Sequence, residues 1–216
     1  MNLRGLIKFL LWRDTTHHGE FAAFRRLMHP GFPKIVVDVG ANDGFYGSNS
    51  YPFVARGWRA VLIEPHPVVF ARLQRRFAGR RQVDCLQLAC SDAAGTLPMY
   101  VGADGAAPSL STLCTDQDPA FRKGRLDQTI LVKVDTLSNV LQSLRIPADI
   151  GLLTVDAEGM DYEVLRGLDL SRWRPRIIIT EDYDPKTAVK ARHLAANGYS
   201  PQVEINHNTI WTSASS

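Results

Sequence analysis

Carboxylates recur at the ends of apolar runs in this chain, and that placement is its first sign of chemistry. Asp38 lies inside the run 35–39, and Glu64 closes 60–63. Ser91 and Asp92 follow 83–89, Asp156 and Glu158 follow 151–155, and Glu181 and Asp182 follow 176–180. A carboxylate at such a position costs free energy unless a partner or a ligand answers it. Carboxylates scattered over a surface would not coincide with strand ends so regularly. In a parallel sheet the strand ends meet at the crevice where ligands bind.

The turn Gly40-Ala41-Asn42-Asp43-Gly44 follows the first of these runs. Gly40 and Gly44 can take positive φ, and Asn42 tolerates the left-handed region better than most residues. Backbone N–H groups in such a turn, near a helix start, predict a site for a polar or anionic ligand group. The plain alternative is a glycine turn that only joins strand to helix. Glu64, at the end of the next run, is placed to accept hydrogen bonds from ribose hydroxyls, so the two features together suit an adenosine ligand. A dinucleotide site would read G-x-G-x-x-G; here Asn42 takes the middle position, closer to the S-adenosylmethionine (SAM) pattern than to that for NAD.

The elements that must position these residues alternate. Strands are expected at 35–39, 59–63, 83–89, 97–101, 130–134, 151–155 and 176–180. Helices are expected at 3–12, 20–28, 68–77, 138–144, 162–168 and 186–197, with a short one opened by Ser50 and Pro52 and stopped by Gly57. Residues 91–97 read as a hairpin through Gly95, and two further strands, 201–205 and 209–213, close the chain around His207 and Asn208. This order predicts an α/β fold, a parallel sheet carrying an antiparallel edge. The long stretch 102–118 reads as an active-site cover or a disordered loop. His17 and His18 are adjacent and cannot face one metal from a helix, so a loop role or solvation is expected.

Composition narrows the classes. The chain has 216 residues, 45% hydrophobic and 22% charged, which fits one globular domain. A formal charge of +3 with no basic run interleaved with aromatics argues against nucleic acid. Cys85, Cys90 and Cys114 lack any C-x-x-C spacing, which suggests neither disulfides nor zinc and fits the cytoplasm. The apolar run from Leu6 is too short to span a bilayer. It reads either as a basic amphipathic helix in peripheral contact with a membrane or as a cap packed on the domain, with the cap favoured.

The stretches VDVGANDG…SNS, GW…LIEPHP, ACSDAAG and LLTVDAEGMDYEVLRG, in this order, resemble the FkbM family of SAM-dependent methyltransferases. The likeness extends to SLSTL (109–113), VDTL (134–137) and IIITED, and covers roughly residues 31–213. It implies a single Rossmann-like class I methyltransferase domain over 31–216. That domain has a mostly parallel seven-stranded sheet with a C-terminal antiparallel hairpin, and 1–30 form a short helical cap. It also implies O-methylation of a hydroxyl on a sugar, glycolipid or secondary metabolite. By position, Asp38, Gly40, Ala41, Asn42 and Gly44 match the motif at the amino-acid end of SAM, Glu64 the ribose acid, and Ser91 and Asp92 the segment near adenine. Asp156, Glu158 and Gly159 match the D-x-E-G signature beside the transferred methyl, and Asp161 stands where the family commonly has Glu. His66 has no assigned role and reads as structural.

Methyl transfer to a hydroxyl needs position, desolvation and a base. Asp156 is the expected base, with Glu158 or Glu181 orienting the acceptor; Glu158 also reads as a helix-start acid favoured by the dipole. In a second scheme Asp156, Glu181 and Asp182 hold a magnesium ion that lowers the acceptor's pKa. Two readings of another class use the same sheet: an NAD-dependent oxidoreductase, which would want a third glycine, and a non-catalytic SAM-fold module, which would have lost the acids.

Overall fold

A computed structural model describes residues 14–101, 113, 128–182 and 186–213. The expected helix at 3–12 and most of 102–118 lie outside the described residues. Helix α1 (Glu20–Leu27) leads into strand β1 (Ile35–Val39), the short helix α2 (Tyr51–Val54), β2 (Arg59–Ile63), α3 (Pro67–Arg76) and β3 (Val83–Leu86). Then come β4 (Ala89–Ser91), β5 (Gly95–Val101), β6 (Gln128–Thr136), α4 (Leu137–Ser143) and β7 (Asp149–Val155). The chain closes with α5 (Asp161–Arg166), β8 (Arg174–Glu181), α6 (Thr187–Ala196), β9 (Tyr199–Ile205) and β10 (Asn208–Ser213).

Seven strands form one sheet in the order β3-β2-β1-β7-β8-β10-β9. The first five are mutually parallel, and β10 runs antiparallel to both β8 and β9. This is the expected mostly parallel sheet with an antiparallel C-terminal hairpin. Parallel strands are covered on both faces, which explains their nearly unbroken apolar runs. Val37, Val39, Val61 and Ile63 pack with Leu137, Leu141, Val164, Leu165 and Leu194 from α4, α5 and α6. Val36, Ala60 and Leu62 pack on the other face with Phe21 and Phe24 of α1, Phe53 of α2 and Leu73 of α3. Helix α1 therefore contributes two aromatic side chains to the same core as the sheet.

A second sheet departs from the sequence reading. The expected strand 83–89 is two strands, β3 at the edge of the large sheet and β4 in a three-stranded sheet of order β4-β6-β5. The hairpin expected through Gly95 does not form: β4 pairs parallel with one edge of β6 and β5 antiparallel with the other. Burial explains the insertion, because β6 brings Val132 and Val134 between Ala89 of β4 and Met99 and Val101 of β5. Among the described residues no helix is long and apolar enough to cross a membrane.

Candidate active site

The winding of the large sheet reverses between β1 and β7, and a cavity of about 350 Å³ opens at their carboxyl ends. Its floor is made where two strand ends are locked together. The Asp156 N–H donates to the Val39 carbonyl at 3.0 Å. Gly40, at φ 85°, passes so close that an added Cβ would lie 1.9 Å from the Asp156 carbonyl oxygen. Only a residue without a side chain permits this approach.

Asp38 is buried in β1, and the Ser50 hydroxyl donates to it at 2.5 Å. Ser50 stands at the N-cap position of α2 as expected, but its hydroxyl serves Asp38 rather than the helix. Burial raises the Asp38 carboxyl to about 7, against the smaller opposing effect of the Ser50 bond. Glu64 accepts from the backbone N–H of Asn42 at 3.1 Å and of His66 at 2.8 Å. Desolvation still lifts it to about 7. His66 is structural, as expected: its Nδ1 accepts from Val68 N–H and caps α3, and burial lowers its pKa.

The turn does not offer the N–H cradle that its glycines suggest. The N–H groups of Gly40 and Ala41 both donate to the Ile63 carbonyl, that of Asn42 to Glu64, and that of Asp43 to the Asn42 side chain. Gly44 N–H closes back on Ala41. Every backbone N–H of the turn is thus bonded within the protein, and the polar groups beside it in the cavity include the carboxyls of Asp38, Glu64 and Asp156. Such a surface suits a cation, not the pyrophosphate of a dinucleotide. Gly44 lies outside the cavity lining and packs on Leu73 and Phe77.

Asp156, the first residue after β7, is accessible through the cavity while protein surrounds it on its other sides. Desolvation, then the charges of Glu181 and Asp38, raise it to about 7, and Lys190 opposes them. Glu158, at the non-glycine φ of 51°, is pushed to about 9 by burial and the neighbouring acids. Left-handed backbone at a non-glycine residue persists only where the surroundings enforce it. Asp161 braces the residues on either side of this loop. Its two oxygens accept from Ala157 N–H at 2.8 Å and Glu181 N–H at 3.0 Å, which ties the 156–159 loop to the end of β8.

Fully buried Lys190 of α6 lies 3.8 Å from Asp161 and 3.5 Å from Asp182, and donates to the Glu181 carbonyl. Asp182 also accepts from Thr209 and Thr180, so it points into the scaffold while Glu181 lines the cavity. Among the described residues no group of three His, Cys, Asp or Glu is arranged to hold a metal. No sequence signal marks Lys190, because a lysine in a helix ordinarily reads as solvent-facing. Ser91 and Asp92 stand apart from the cavity: Asp92 pairs with Arg166 at 3.2 Å, and the lining there comes from Leu88, Ala89 and Cys90.

A family model described as the methyltransferase FkbM domain matches residues 38–202. The chain belongs to that family. Methyltransferase sdnD of Sordaria araneosa is 31% identical over 198 residues, covering 78% of this chain and 70% of that protein. The crystal structure of Methyltransferase FkbM from Methylobacillus flagellatus KT has a TM-score of 0.59 at 15% identity, over 93% of this chain. The chain spans about half of that protein's length, 49%. The METTL16 methyltransferase domain follows at 0.51 and 9% identity, over 96% of this chain and 76% of its own. These two likenesses show the fold, the α/β class I methyltransferase sheet. The FkbM family is SAM-dependent, so the cofactor is SAM.

The cavity fits that cofactor on its own evidence. The Asn49 side-chain oxygen, in the lining, is buried with no hydrogen-bond partner among the described residues, and a donor on a ligand would supply one. Raised carboxyls also suit a ligand that carries a sulfonium and an ammonium group. These acids set a pH dependence in the ligand-free FkbM domain. Asp38 and Glu64 hold their protons up to about 7 when folded. Unfolded carboxyls release theirs near ~4. The folded state binds more protons between those values, so its stability falls as pH rises from ~4 through ~7. Thermal melts across this range should show a declining Tm, with the decline reduced by SAM; a Tm that climbs throughout would contradict it.

Proposed function

We propose that this chain O-methylates a hydroxyl group, with Asp156 as the proton acceptor. Bound SAM supplies an electrophilic methyl group on a positively charged sulfur. Asp38 and Asn49 are placed to hold its amino-acid end, and Glu64 its ribose. The observation that carries the assignment is geometric: Asp156 stands at the end of β7, fixed to β1 through Val39 and open to the cavity, and Glu158 lines the same cavity two residues on. Asp156, at about 7, can be ionised at neutral pH and reached through the cavity. Glu158, at about 9, keeps its proton there. An ionised carboxylate can take the proton from an incoming hydroxyl, and a protonated one can donate a hydrogen bond to the same acceptor. Glu181, at the end of β8, lines the same cavity and is placed to orient the acceptor.

Asp156→Asn removes the base and keeps the size and the backbone bond to Val39. We expect methyl transfer to fall by ~10²–10⁴, while S-adenosylhomocysteine affinity stays within a few-fold. Wild-type rates should rise with pH towards a plateau above the Asp156 pKa, and this limb should disappear in the variant. Transfer of labelled methyl from SAM to an alcohol extract, with calorimetric titration of S-adenosylhomocysteine, reads both. Full activity in Asp156→Asn would remove Asp156 from the role.

A further inference from the structure

The family match ends at residues 38 and 202, yet the cavity continues beyond both limits. One wall is built from His17, His18 and Glu20 before the matched region and from 206–208 after it. Side chains join the two segments directly. The Asn206 amide donates to His18 Nε2 at 3.0 Å, and the Asn208 amide donates to Glu20 Oε1 at 2.9 Å. Asn206 takes a left-handed φ of 58° in the β9–β10 turn, which presents its side chain to His18. Thr16 also bridges to Gly47, and the His17 ring sits edge-on to Tyr46 at 5.1 Å. Tyr46 is 73% exposed at this rim. The two ends of the described chain therefore clasp across one side of the cavity.

The charge of the cavity is one-sided. Carboxyl groups of Glu20, Asp38, Glu64, Asp156, Glu158 and Glu181 line it, all but the protonated Glu158 able to carry negative charge at neutral pH, and among the described residues no lysine or arginine lines it. SAM, with two positive groups and one negative, relieves part of that field. An anionic acceptor would add to it, and like charges brought together cost several kcal/mol. The clasp itself offers imidazole, amide and phenol groups, which hydrogen-bond without supplying a fixed positive charge.

We propose that the His18–Asn206 clasp is the acceptor-selecting wall, and that it admits uncharged or ammonium-bearing hydroxy compounds and rejects carboxylate- or phosphate-bearing ones. The proposal rests on the methyltransferase reading of the cavity that it borders. It assigns specificity to segments outside the family's shared core, where acceptor preference can vary while the cofactor site does not.

The test uses three pyranosides with one ring and different charge: methyl glucoside, methyl glucosaminide and methyl glucuronide. Binding to the full chain saturated with S-adenosylhomocysteine is read by ligand-observed NMR. We expect the first two to bind and the glucuronide to bind at least about tenfold more weakly. The double variant His18→Ala/Asn206→Ala should lose pyranoside binding while keeping S-adenosylhomocysteine affinity, which also reports that it is folded. His18→Lys places a cation on the wall and should recover the glucuronide. Equal binding of the glucuronide to wild type, binding that survives the double variant, or no pyranoside bound at all overturns the proposal. Failure of the wild type to bind S-adenosylhomocysteine would instead overturn the reading beneath it.

Discussion

Gly40→Ala should abolish S-adenosylhomocysteine binding and lower the Tm sharply. The added Cβ would meet the Asp156 carbonyl oxygen at 1.9 Å and its carbon at 2.9 Å, both backbone atoms that no rotamer change can move aside. The backbone also holds φ 85°, where an L side chain costs about 1–2 kcal/mol. Overpacking adds about 1–3 kcal/mol. The sum, about 2–5 kcal/mol, corresponds to a Tm loss of roughly 4–20 °C in a chain of this size. Relief can come only by separating the ends of β1 and β7, which moves Asp156 and the cavity turn together. Gly57→Ala is the control. Gly57 has a similar φ of 82° but nothing within 4 Å among the described residues, so it should lose the conformational part alone and keep its cofactor affinity. Thermal melts and calorimetric titrations of both variants decide the matter. A Gly40→Ala protein that binds S-adenosylhomocysteine like wild type would show that the strand ends can part without disturbing the site.

What the sequence made legible here is what local pattern can encode. The apolar runs and the glycines after them identify β1, β2, β7 and β8, and their terminal acids converge because parallel strands present their carboxyl ends to one crevice. Asp38, Glu64, Asp156, Glu158 and Glu181 all line the cavity for that reason. What escaped depends on partners distant in the chain. The glycine turn suggested free N–H groups, but Ile63 and Glu64 of the neighbouring strand already receive most of them. Ser91 and Asp92 keep their place at a strand end, yet that strand pairs in the second sheet, where Asp92 meets Arg166. The β4–β6 pairing itself joins Ala89 to Val134 across most of fifty residues, beyond the reach of any hairpin signal. His18 reads as a loop or solvated residue because its partner Asn206 arrives from the opposite end of the chain. Asp161 was visible as a family position, but the two N–H groups it accepts from, and the lysine behind it, were not.

That lysine carries the second large effect. Lys190→Met should destabilise the fold by about 3–5 kcal/mol, the cost of removing one partner from a buried ion pair. Lys190 is fully buried, and so is Asp161 but for 1% of its surface. Without the ammonium group, Asp161 and Asp182 both lose the cation beside them, and Asp161 is left under the repulsion of Asp156. Asp161 would then take up a proton. It would lose acceptor capacity towards Ala157 or Glu181, and with it one brace beside the loop that carries Glu158. The loss should reach chemistry as well as stability. Lys190 opposes the upward push of Glu181 and Asp38 on Asp156, so its removal moves the Asp156 pKa higher and shifts the rising limb of the pH–rate profile towards alkaline pH. Lys190→Met/Asp161→Asn removes both charges, keeps one amide oxygen for a backbone N–H, and should recover part of the stability without returning the profile to its original position. Urea unfolding and pH–rate measurements on the single and double variants separate the two roles. A Lys190→Met protein within 1 kcal/mol of wild type would mean that Asp161 is held by its two backbone bonds alone. A normal stability with a shifted profile would leave Lys190 an electrostatic role on Asp156 and none in the scaffold.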